Sequence, residues 1–396
     1  MNSNIEKICL IANKHSRQII GLMSGTSFDG LDIALCEFTG SGIKTTIQLK
    51  KFTTKDYLPE FKEELKSIFA KPMVDLEKVT LLNSFIGGYY AELITECLSE
   101  WGISYADVDL IASHGQTIFH SPKHQRPADK YGNATLQIGD GDHLAVKSKI
   151  ITVSDFRQKH IAAGGEGAPL AIYGDYIIFS DPVENRIMLN IGGIANFTYL
   201  PANGPVQFFC TDVGPGNTIM DQFIQAKFPG KYYDKNAEIG SQGNVSEALL
   251  NALFDHRFFD ASFPKTTGPE LFNLNFLNDA IVRSAQTDLS SNDIVATLAC
   301  FSAQAIIRAI SATIPNQDFE IYISGGGIYN PLLIMYLEKY FSRKMRSTSD
   351  LNINPDAKEA VLFALLANEA IAGGTIYNNK SSGLPLVSMG KFSFPN

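Results

Sequence analysis

Cysteine is scarce in this sequence, and the spacing of the cysteines indicates no disulfide framework. The five cysteines are Cys9, Cys36, Cys97, Cys210 and Cys300. Their number is odd, they lie far apart, and no two have CxxC spacing, which argues against a disulfide network and against a zinc site. We therefore expect reduced thiols, as in a cytoplasmic protein.

Dense basic blocks and long apolar runs are also missing. The formal net charge is −8, and no cluster of lysine and arginine is present that would neutralise the phosphates of a nucleic acid. The longest apolar stretch, residues 361–367, is far shorter than the ~20 residues that span a bilayer. The N-terminus has no signal-peptide pattern. We expect a cytoplasmic protein with neither nucleic acid nor membrane as a partner.

The composition is that of an ordinary globular protein. The chain has 396 residues, of which 45% are hydrophobic and 19% charged. Domains usually contain roughly 100 to 200 residues, so the length predicts two domains, each with its own core.

Two halves of the chain show a similar order of patterns. Apolar alternation and glycine turns predict strands in the first half at 19–23, 31–38, 45–52, 108–113 and 150–156, with a helix at 79–101. The second half repeats this design with strands at 187–192, 197–200, 206–214 and 320–324, and helices at 293–310 and 356–372. The pattern predicts an α/β fold with two mixed-sheet domains, 1–183 and 184–396.

Three glycine-rich segments are candidates for phosphate binding. Glycines let the backbone turn tightly, so that N–H groups can approach oxygens closely. In GLMSGTSFDGLD the candidate residues are Gly25, Thr26, Ser27, Asp29, Gly30 and Asp32. In the second candidate, NIGGIANFT together with CTDVGPGNTIMD, and in the third, YISGGGIYN, they are Asn190, Gly192, Gly193, Asn196, Asp212, Gly214, Gly216, Asn217, Gly325, Gly326 and Gly327. Taken singly, each segment is also explained as a structural turn.

Two common nucleotide-binding loops are absent. The chain contains no GxxxxGK[ST] loop and no GxGxxG after its first strand. Together the three glycine-rich segments, each at a predicted strand end, still favour a nucleotide ligand.

The segment TVSDFRQKHIAAGGEGAPLA is the candidate reacting centre. Asp155 lies at the end of a predicted strand and precedes a glycine run, a place where a carboxylate can act as general base. The competing interpretation is that Asp155 caps a helix or pairs with Arg157. The candidate substrate contacts are His114, Gln116, Gln137, Gly139, Arg157, Gly164 and Gly165. The histidines lack metal-ligand spacing, and no metal ligands are predicted.

These segments, in content and order, resemble the anhydro-N-acetylmuramic acid kinase family over nearly the whole chain. The resemblance rests on GLMSGTSFDGLD, SHGQT, QIGDGD, SDFRQKHIAAGGEGAPL, LNIGGIANFT, TDVGPGN, PKTTGPELFN, ISGGG and PDAKEAVLFALLA. It implies a two-lobed actin-like ATPase fold, ribonuclease H-like, with a central nucleotide cleft. The family belongs to the superfamily that includes sugar kinases, actin and the heat-shock ATPases.

The resemblance also implies a reaction. ATP and Mg²⁺ would be used while water opens the anhydro bridge of the sugar and the 6-oxygen takes the γ-phosphate, giving N-acetylmuramic acid 6-phosphate. By the same resemblance, Asp155 would activate the water, Gly25 to Asp32 would contact ATP phosphates, and Glu359 would be a second catalytic carboxylate. Pro269 stands where the family often has a basic residue, and the first ~20 residues resemble an extension.

Three other functions remain open at this stage, and so does a homodimer. One is a conventional sugar kinase that phosphorylates a free hydroxyl without ring opening. Another is a non-catalytic ATP-binding regulator, although no added partner-reading element is visible. The third is a glycosidase that uses Asp155 and Glu359 as paired carboxylates, which would leave the glycine-rich segments without a purpose.

Overall fold

The computed structural model describes residues 2–26, 28–123, 126, 128–202, 209–315, 318–373, 385 and 387–396. Its strands are β1 (Ser16–Ser24), β2 (Gly30–Thr39), β3 (Thr46–Asp56), β4 (Leu110–Ser121), β5 (Ala134–Ile138), β6 (Thr152–Ser154), β7 (Arg186–Ile191), β8 (Ile194–Leu200), β9 (Phe209–Pro215), β10 (Glu320–Ser324), β11 (Arg346–Ser347) and β12 (Lys391–Ser393). Its α-helices are α1 (Ser3–Ala12), α2 (Pro59–Ile68), α3 (Leu76–Trp101), α4 (Gly141–Ser148), α5 (Phe156–Ala162), α6 (Ala171–Phe179), α7 (Thr218–Lys227), α8 (Glu247–Phe254), α9 (Arg257–Asp260), α10 (Leu274–Ser284), α11 (Ser291–Thr313), α12 (Pro331–Phe341) and α13 (Lys358–Ala372).

The chain divides into two units. Unit 1 comprises Met1–Phe179 and Ala357–Asn396, and unit 2 comprises Ser180–Asp356. The first boundary lies close to the predicted one at 183. The last 40 residues differ from the prediction, which assigned them to the second domain.

Buried polar contacts explain why the C-terminal helix belongs to unit 1. Helix α13 packs on β1 so closely that a Cβ at Gly21 would overlap the carbonyl oxygen of Ala360. The buried Glu369 on α13 accepts the backbone N–H of Gly42 at 2.9 Å. Next to it, Asn368 accepts from the Nε of Arg17 at 2.7 Å. Since these partners are distant in sequence, apolar periodicity could not assign the helix to a domain.

In unit 1 the sheet order is β12-β6-β4-β1-β2-β3, and β5 pairs with β4. Strands β1, β4 and β6 run parallel, whereas β2, β3, β5 and β12 are attached antiparallel. The main apolar core of this unit lies under α2 and α3, around residues such as Ile86, Tyr90 and Leu144.

In unit 2 the sheet order is β11-β10-β7-β8-β9. Strands β7, β10 and β11 run parallel. Strand β8 pairs antiparallel with β7, and β9 pairs antiparallel with β8. The order β6-β4-β1-β2-β3 of unit 1 is therefore repeated as β11-β10-β7-β8-β9. This repeat confirms the predicted α/β class with duplicated mixed sheets.

Helix α11 is the described helix that is long and apolar enough to cross a membrane. However, 78% of its apolar window is buried inside the protein. Its buried side chains join the two apolar clusters of unit 2, through residues such as Phe301 and Ile306. Helix α11 therefore serves as the core helix of this unit.

Local chemistry sets several element boundaries. The Asp75 carboxylate accepts the backbone N–H of Glu77 at the start of α3, and Gly102 ends that helix with a left-handed φ of 64°. The strand predicted at 150–156 ends earlier, at Ser154. Asp155 has a left-handed φ of 56°, a conformation that cannot continue a strand.

Candidate functional site

Asp155 lies at the turn between β6 and α5, in a conformation that non-glycine residues seldom adopt. It occupies the position before α5, yet its side chain makes no capping hydrogen bond. Its Oδ2 instead accepts from the Nζ of Lys391 at 2.8 Å, and 38% of its side chain is exposed. The carboxylate therefore faces an open space rather than capping the helix.

That open space is a cavity of about 580 Å³ in unit 1. Among the predicted site residues, Asp155, Gln137 and Gly139 line it. The other described lining residues are Val79, Thr80, Asn83, Thr135, Leu136, Ile138, Asp140, Gly141, Ser154, Gln158 and Lys391. Amide, hydroxyl and carboxylate groups thus meet in one cavity.

Sequence reasoning missed Lys391, Gln158 and Asn83. The Nε2 of Gln158 donates to the carbonyl of Thr135 at 2.7 Å, and the Oδ1 of Asn83 accepts the backbone N–H of Gly139 at 2.9 Å. Gln158 follows Asp155 by three residues, so helical periodicity could have found it. Asn83 and Lys391 are distant in sequence, and only tertiary structure brings them here.

Arg157 supports the neighbouring loop. Its Nε donates to the Nε2 of His114 at 2.9 Å, and its Nη1 donates to the carbonyl of Gly167 at 2.7 Å. Burial lowers the pKa of Arg157 to about 10, and the charge of Glu359 opposes this shift. Both of these hydrogen bonds of Arg157 thus go to groups other than Asp155.

His114 is buried beneath that arginine. Burial and the positive charge of Arg157 hold the pKa of His114 well below its ordinary value. A neutral imidazole that accepts at Nε2 carries its proton on Nδ1. His114 therefore holds Arg157 in place. This role is indirect, whereas the sequence predicted that His114 itself contacts the substrate.

The glycine run after α5 is shaped by His160, which sequence reasoning did not select. The Nδ1 of His160 accepts the backbone N–H of Gly167 at 2.9 Å. A Cβ at Gly165 would lie 2.2 Å from the imidazole ring, whereas Gly164 has open space and a φ of 96°. His160 and Arg157 therefore hold Gly167 from its two sides, and Gly164 stays accessible.

The first glycine hairpin, between β1 and β2, combines exposed and packed positions. Thr26 and Asp29 are exposed, and Gly25 is half-buried. A Cβ at Gly30 would lie 2.4 Å from the carbonyl oxygen of Lys55, so that glycine is required by strand packing. The predicted contact Ser27 lies outside the described residues.

Two further predicted residues near this hairpin are engaged within the protein. The Asp32 carboxylate accepts from the hydroxyl of Thr54 at 2.6 Å, across the β2–β3 pair. Gln116 is fully buried, and its Nε2 donates to the carbonyl of Gly25 at 3.3 Å. Gln116 thus supports the turn from inside.

In unit 2 the turn between β7 and β8 is tied to the start of α7. The backbone N–H of Gly216 donates to the carbonyl of Gly193 at 2.8 Å, and that of Asn217 donates to Gly192 at 2.9 Å. A Cβ at Gly216 would lie 2.2 Å from the carbonyl oxygen of Gly192. Gly216 is therefore needed for this close approach.

Gly325, Gly326 and Gly327 divide into packed and open positions. A Cβ at Gly325 would meet Asn190 at 2.6 Å, and one at Gly327 would meet Ile191 at 2.2 Å. A Cβ at Gly326 would have the Nδ2 of Asn217 as its nearest neighbour, 4.0 Å away. Backbone at Gly326 is thus open to a ligand.

Gly192 and Gly193 are open in the same way. Their Cβ positions have no neighbour closer than 3.6 Å. Because β7 and β10 are parallel, the turns after them lie at the same edge of the sheet. Gly192, Gly193 and Gly326 therefore form an accessible backbone cradle, the kind of surface that binds phosphate or nucleotide oxygens.

The remaining predicted residues of unit 2 make contacts within the protein. Asn196 pairs with Asn190 across β7 and β8, and Gly214 packs against Ala305 of α11. Asp212 accepts the backbone N–H of Thr267 at 2.8 Å. Burial raises the pKa of Asp212 to about 7, and that hydrogen bond opposes the shift.

Glu359 lies in the first turn of α13, and part of its surface is exposed to solvent. Protein atoms nevertheless surround its carboxyl densely enough that desolvation raises its pKa, and the charges of Arg157 and Lys358 oppose the shift. Lys358 also pairs with the buried Asp175 at 2.8 Å, which fixes the start of α13 on α6. Glu359 is not part of the described lining of the cavity around Asp155.

Groups of three or more histidine, cysteine, aspartate or glutamate side chains that could hold a metal are not found in the described part of the chain. Mg²⁺ in phosphoryl-transfer enzymes is usually held by one or two carboxylates together with phosphate oxygens and water. The exposed carboxylate of Asp29 in the first hairpin is a donor of this kind.

Comparison with solved structures finds distant likenesses. A ROK family glucokinase from Streptomyces griseus, in complex with glucose and AMPPNP, is 11% identical with a TM-score of 0.36, over 88% of this chain and 98% of that one. An activator of the 2-hydroxyisocaproyl-CoA dehydratase from Clostridium difficile, with bound ADPNP, is 12% identical with a TM-score of 0.38, over 90% and 96%.

Comparison by sequence is far closer. The model of the anhydro-N-acetylmuramic acid kinase family matches residues 17–383. The anhydro-N-acetylmuramic acid kinase of Pseudoalteromonas atlantica is 52% identical over 100% of both chains. That of Caldanaerobacter subterraneus subsp. tengcongensis is 36% identical over 98% of this chain and 100% of its own. The chain therefore belongs to the anhydro-N-acetylmuramic acid kinase family.

Proposed function

We propose that this chain uses ATP to open and phosphorylate 1,6-anhydro-N-acetylmuramic acid in the cytoplasm. The products are N-acetylmuramic acid 6-phosphate and ADP, and the pathway is the recycling of peptidoglycan sugars. The observation that carries the proposal is Asp155, whose carboxylate lies at the wall of a polar cavity in a member of this kinase family.

In this mechanism Asp155 is the general base. It removes a proton from a water molecule, whose oxygen bonds to the anomeric carbon of the sugar. The bond from that carbon to the bridging 6-oxygen breaks, and the 6-oxygen bonds to the γ-phosphorus of ATP. ADP leaves with the electron pair of the broken phosphate bond, and the proton remains on Asp155 until solvent removes it.

The supporting residues position the reactants. We assign sugar contacts to Gln137 and Gly139 in the cavity, and to Gly164 in the adjoining glycine run. Arg157 and His114 hold that run through the hydrogen bond to Gly167. Phosphoryl transfer depends mainly on positioning and charge stabilisation, so ordered supports of this kind matter for rate.

The nucleotide is assigned to glycine-rich backbone. The open cradle at Gly192, Gly193 and Gly326 fits phosphate or nucleotide oxygens, and the exposed Thr26 and Asp29 of the first hairpin offer further polar contacts. Mg²⁺ would neutralise phosphate charge when bound. Glu359 remains a second carboxylate candidate, outside the described lining of the Asp155 cavity.

One assay tests the proposal. ATP consumption is measured with the anhydro sugar, with N-acetylglucosamine and with buffer, in water labelled with ¹⁸O. We expect ATP consumption with the anhydro sugar, and ¹⁸O bound to the anomeric carbon of the product. Consumption without that label would instead identify a conventional sugar kinase that phosphorylates a free hydroxyl, and sugar cleavage without ATP would identify a glycosidase.

A further inference from the structure

A chain of buried hydrogen bonds leads from the core of unit 1 to the first glycine hairpin. The hydroxyl of Tyr57 donates to the Oγ of Ser24 at 2.8 Å, and the hydroxyl of Ser24 donates to the Oε1 of Gln116 at 2.5 Å. The hydroxyl of Tyr90, on α3, lies 3.0 Å from that of Tyr57. All four residues are at most 2% exposed, so bulk water does not compete for these hydrogen bonds.

The last member of this chain holds the backbone of the hairpin. The Nε2 of Gln116 donates to the carbonyl of Gly25 at 3.3 Å. A peptide unit is planar and almost always trans, so its carbonyl and its N–H point in opposite directions. Because the Gly25 carbonyl is held towards the buried amide, the N–H of Thr26 points to the opposite side of the turn, where Thr26 is exposed. In that orientation a backbone N–H can donate to a phosphate oxygen.

An irregularity in strand pairing brings Gln116 to this place. Strands β1 and β4 are parallel, and their register shifts between Leu22 and Ser24, so that Ser24 pairs with Gln116. Gly115, within the shifted segment, has a left-handed φ of 75°, and a Cβ there would lie 2.7 Å from the carbonyl oxygen of Ile138. Bulges of this kind redirect the side chain that follows them. Here the redirected side chain is the amide that reaches the hairpin.

Tyr57 also holds the other arm of the hairpin. Its backbone N–H donates to the carbonyl of Asp29 at 3.0 Å. Between the two arms, the buried Phe28 has a φ of 59° and packs edge-to-face on Phe69, with ring centroids 5.0 Å apart. Since non-glycine residues seldom adopt this φ, the surrounding contacts must hold the turn in place. Tyr57 is therefore bonded to one arm through its hydroxyl and to the other through its backbone.

The hydroxyl of Tyr57 sets the direction of the hydrogen bonds. The Oε1 of Gln116 can only accept and its Nε2 can only donate. Because Ser24 accepts from Tyr57, its own proton goes to the Oε1, and the Nε2 faces the carbonyls of Gly25 and Thr117. Without the Tyr57 hydroxyl, Ser24 is free to turn, and Gln116 loses the contact that fixes its orientation.

Packing alone does not require this hydroxyl. The ring of Tyr57 packs edge-to-face on Phe61, with centroids 4.9 Å apart, and a phenylalanine ring would fill the same space. A phenylalanine would also bury no polar group that needs a partner. Hydrogen bonds between neutral groups add only modestly to stability. What the hydroxyl supplies is a fixed geometry at the hairpin.

We propose that Tyr57 is a positioning residue for the nucleotide. Through Ser24 and Gln116 it holds the peptide between Gly25 and Thr26 with its N–H directed outward, towards a phosphate oxygen. This inference rests on the proposed function, in which the first hairpin contacts ATP. It adds to that function the buried residues that orient the contact.

The test removes one oxygen atom. Tyr57→Phe and wild type are titrated calorimetrically with a nonhydrolysable ATP analogue and with adenosine, which has no phosphate. We expect the affinity for the analogue to fall about 3- to 10-fold, the usual effect of losing one well-directed hydrogen bond. Affinity for adenosine should be unchanged, and the melting temperature should stay within a few degrees of wild type.

Tyr173→Phe is the matched control, because it also removes a buried tyrosine hydroxyl from unit 1, one that donates to the carbonyl of Pro385 at 2.7 Å. It should bind the analogue as wild type does. Gln116→Met breaks the chain at its last member and should weaken analogue binding about 10-fold. If Tyr57 acts through Gln116, Tyr57→Phe should cause no further loss in the Gln116→Met protein.

Three results would overturn the proposal: unchanged analogue affinity in Tyr57→Phe, an equal loss for adenosine, or an additional loss of full size in the Gln116→Met protein. Each would assign the hydroxyl of Tyr57 to the core alone.

The titrations also separate this inference from the proposed function. If wild type binds the analogue and Tyr57→Phe binds it more weakly, the positioning role stands even where no anhydro sugar is phosphorylated. If wild type does not bind the analogue, the inference and the nucleotide assignment are both wrong.

Discussion

The two units share a five-strand arrangement but offer different chemistry. In unit 1 the described sheet adds β5 and β12 to that arrangement, and these strands contribute Gln137 and Lys391 to the cavity around Asp155. In unit 2 the corresponding turns offer the backbone of Gly192, Gly193 and Gly326. The cavity of unit 1 is thus lined by side chains from the two added strands, whereas the open turns of unit 2 expose backbone.

The two units also differ in the type of ionisable group whose pKa is shifted by burial. In unit 1 burial lowers the pKa of His160 to about 4 and that of His114 well below its usual value, so both support the loop as neutral rings. In unit 2 burial raises the pKa of Asp212 and Asp221 to about 7. Burial favours the neutral form in each case, with opposite directions for bases and acids.

The largest effect is expected at Asp155 of unit 1. Asp155→Asn keeps the shape of the side chain and removes its ability to accept a proton. Turnover should fall by about 10² to 10⁴-fold, the usual contribution of general acid–base catalysis, with ATP affinity and melting temperature nearly unchanged. Turnover, affinity and melting temperature are measured on one preparation.

Asp142→Asn is the control for Asp155, since Asp142 is an exposed aspartate on the nearby α4. It should retain full turnover. Normal turnover in well-folded Asp155→Asn would remove Asp155 from the mechanism and with it the proposed division between the units.

The fold was predictable wherever neighbouring residues determine it. Alternating apolar residues and glycine turns predicted the hairpins of both units, and helical periodicity predicted α3 and α11. The return of α13 to unit 1 depends on contacts such as that between Arg17 and Asn368. Contacts across 351 residues leave no local pattern.

The candidate site was likewise predictable only where local sequence determines it. Asp155 was selected because it lies at the end of a predicted strand, and Gln137 because it belongs to the polar segment QIGDGD; both line the cavity. Lys391 could not be selected, because its partner lies 236 residues away in the sequence. The triple glycine suggested a ligand, but only packing distances distinguish the open Gly326 from its packed neighbours.

A smaller effect is expected from the neutral histidine of the unit 1 loop. The pKa of His160 is lowered to about 4 by burial and by the charge of Arg157, against an opposing effect of Glu166. Between pH 7 and pH 5 the unfolded chain therefore takes up a proton at this residue, whereas the folded protein does not. The free energy of unfolding should fall by roughly 2 kcal/mol over this range from His160 alone.

His160→Gln isolates that contribution, because glutamine can still accept from Gly167 but does not titrate. Denaturant unfolding of both proteins at pH 7 and pH 5 gives the two changes in stability, and His114 contributes equally to both. Identical changes in wild type and variant would show that His160 is protonated in the folded loop.

The smallest effects are expected from substitutions at two glycines of unit 2, which distinguish a glycine that contacts ligand from one required by packing. At Gly326 an added methyl group has open space around it, so Gly326→Ala should fold with unchanged or slightly higher stability. If nucleotide binds against this backbone, the same methyl group should lower ATP affinity roughly 10-fold, or about 1.4 kcal/mol.

At Gly216 the methyl group would overlap the carbonyl oxygen of Gly192, so Gly216→Ala should destabilise the protein by about 1 to 3 kcal/mol. Unfolding curves and calorimetric titration with a nonhydrolysable ATP analogue measure both quantities. A stable Gly326→Ala that binds the analogue as tightly as wild type would mean that the open cradle is not where the nucleotide binds, and that unit 2 uses other groups for recognition.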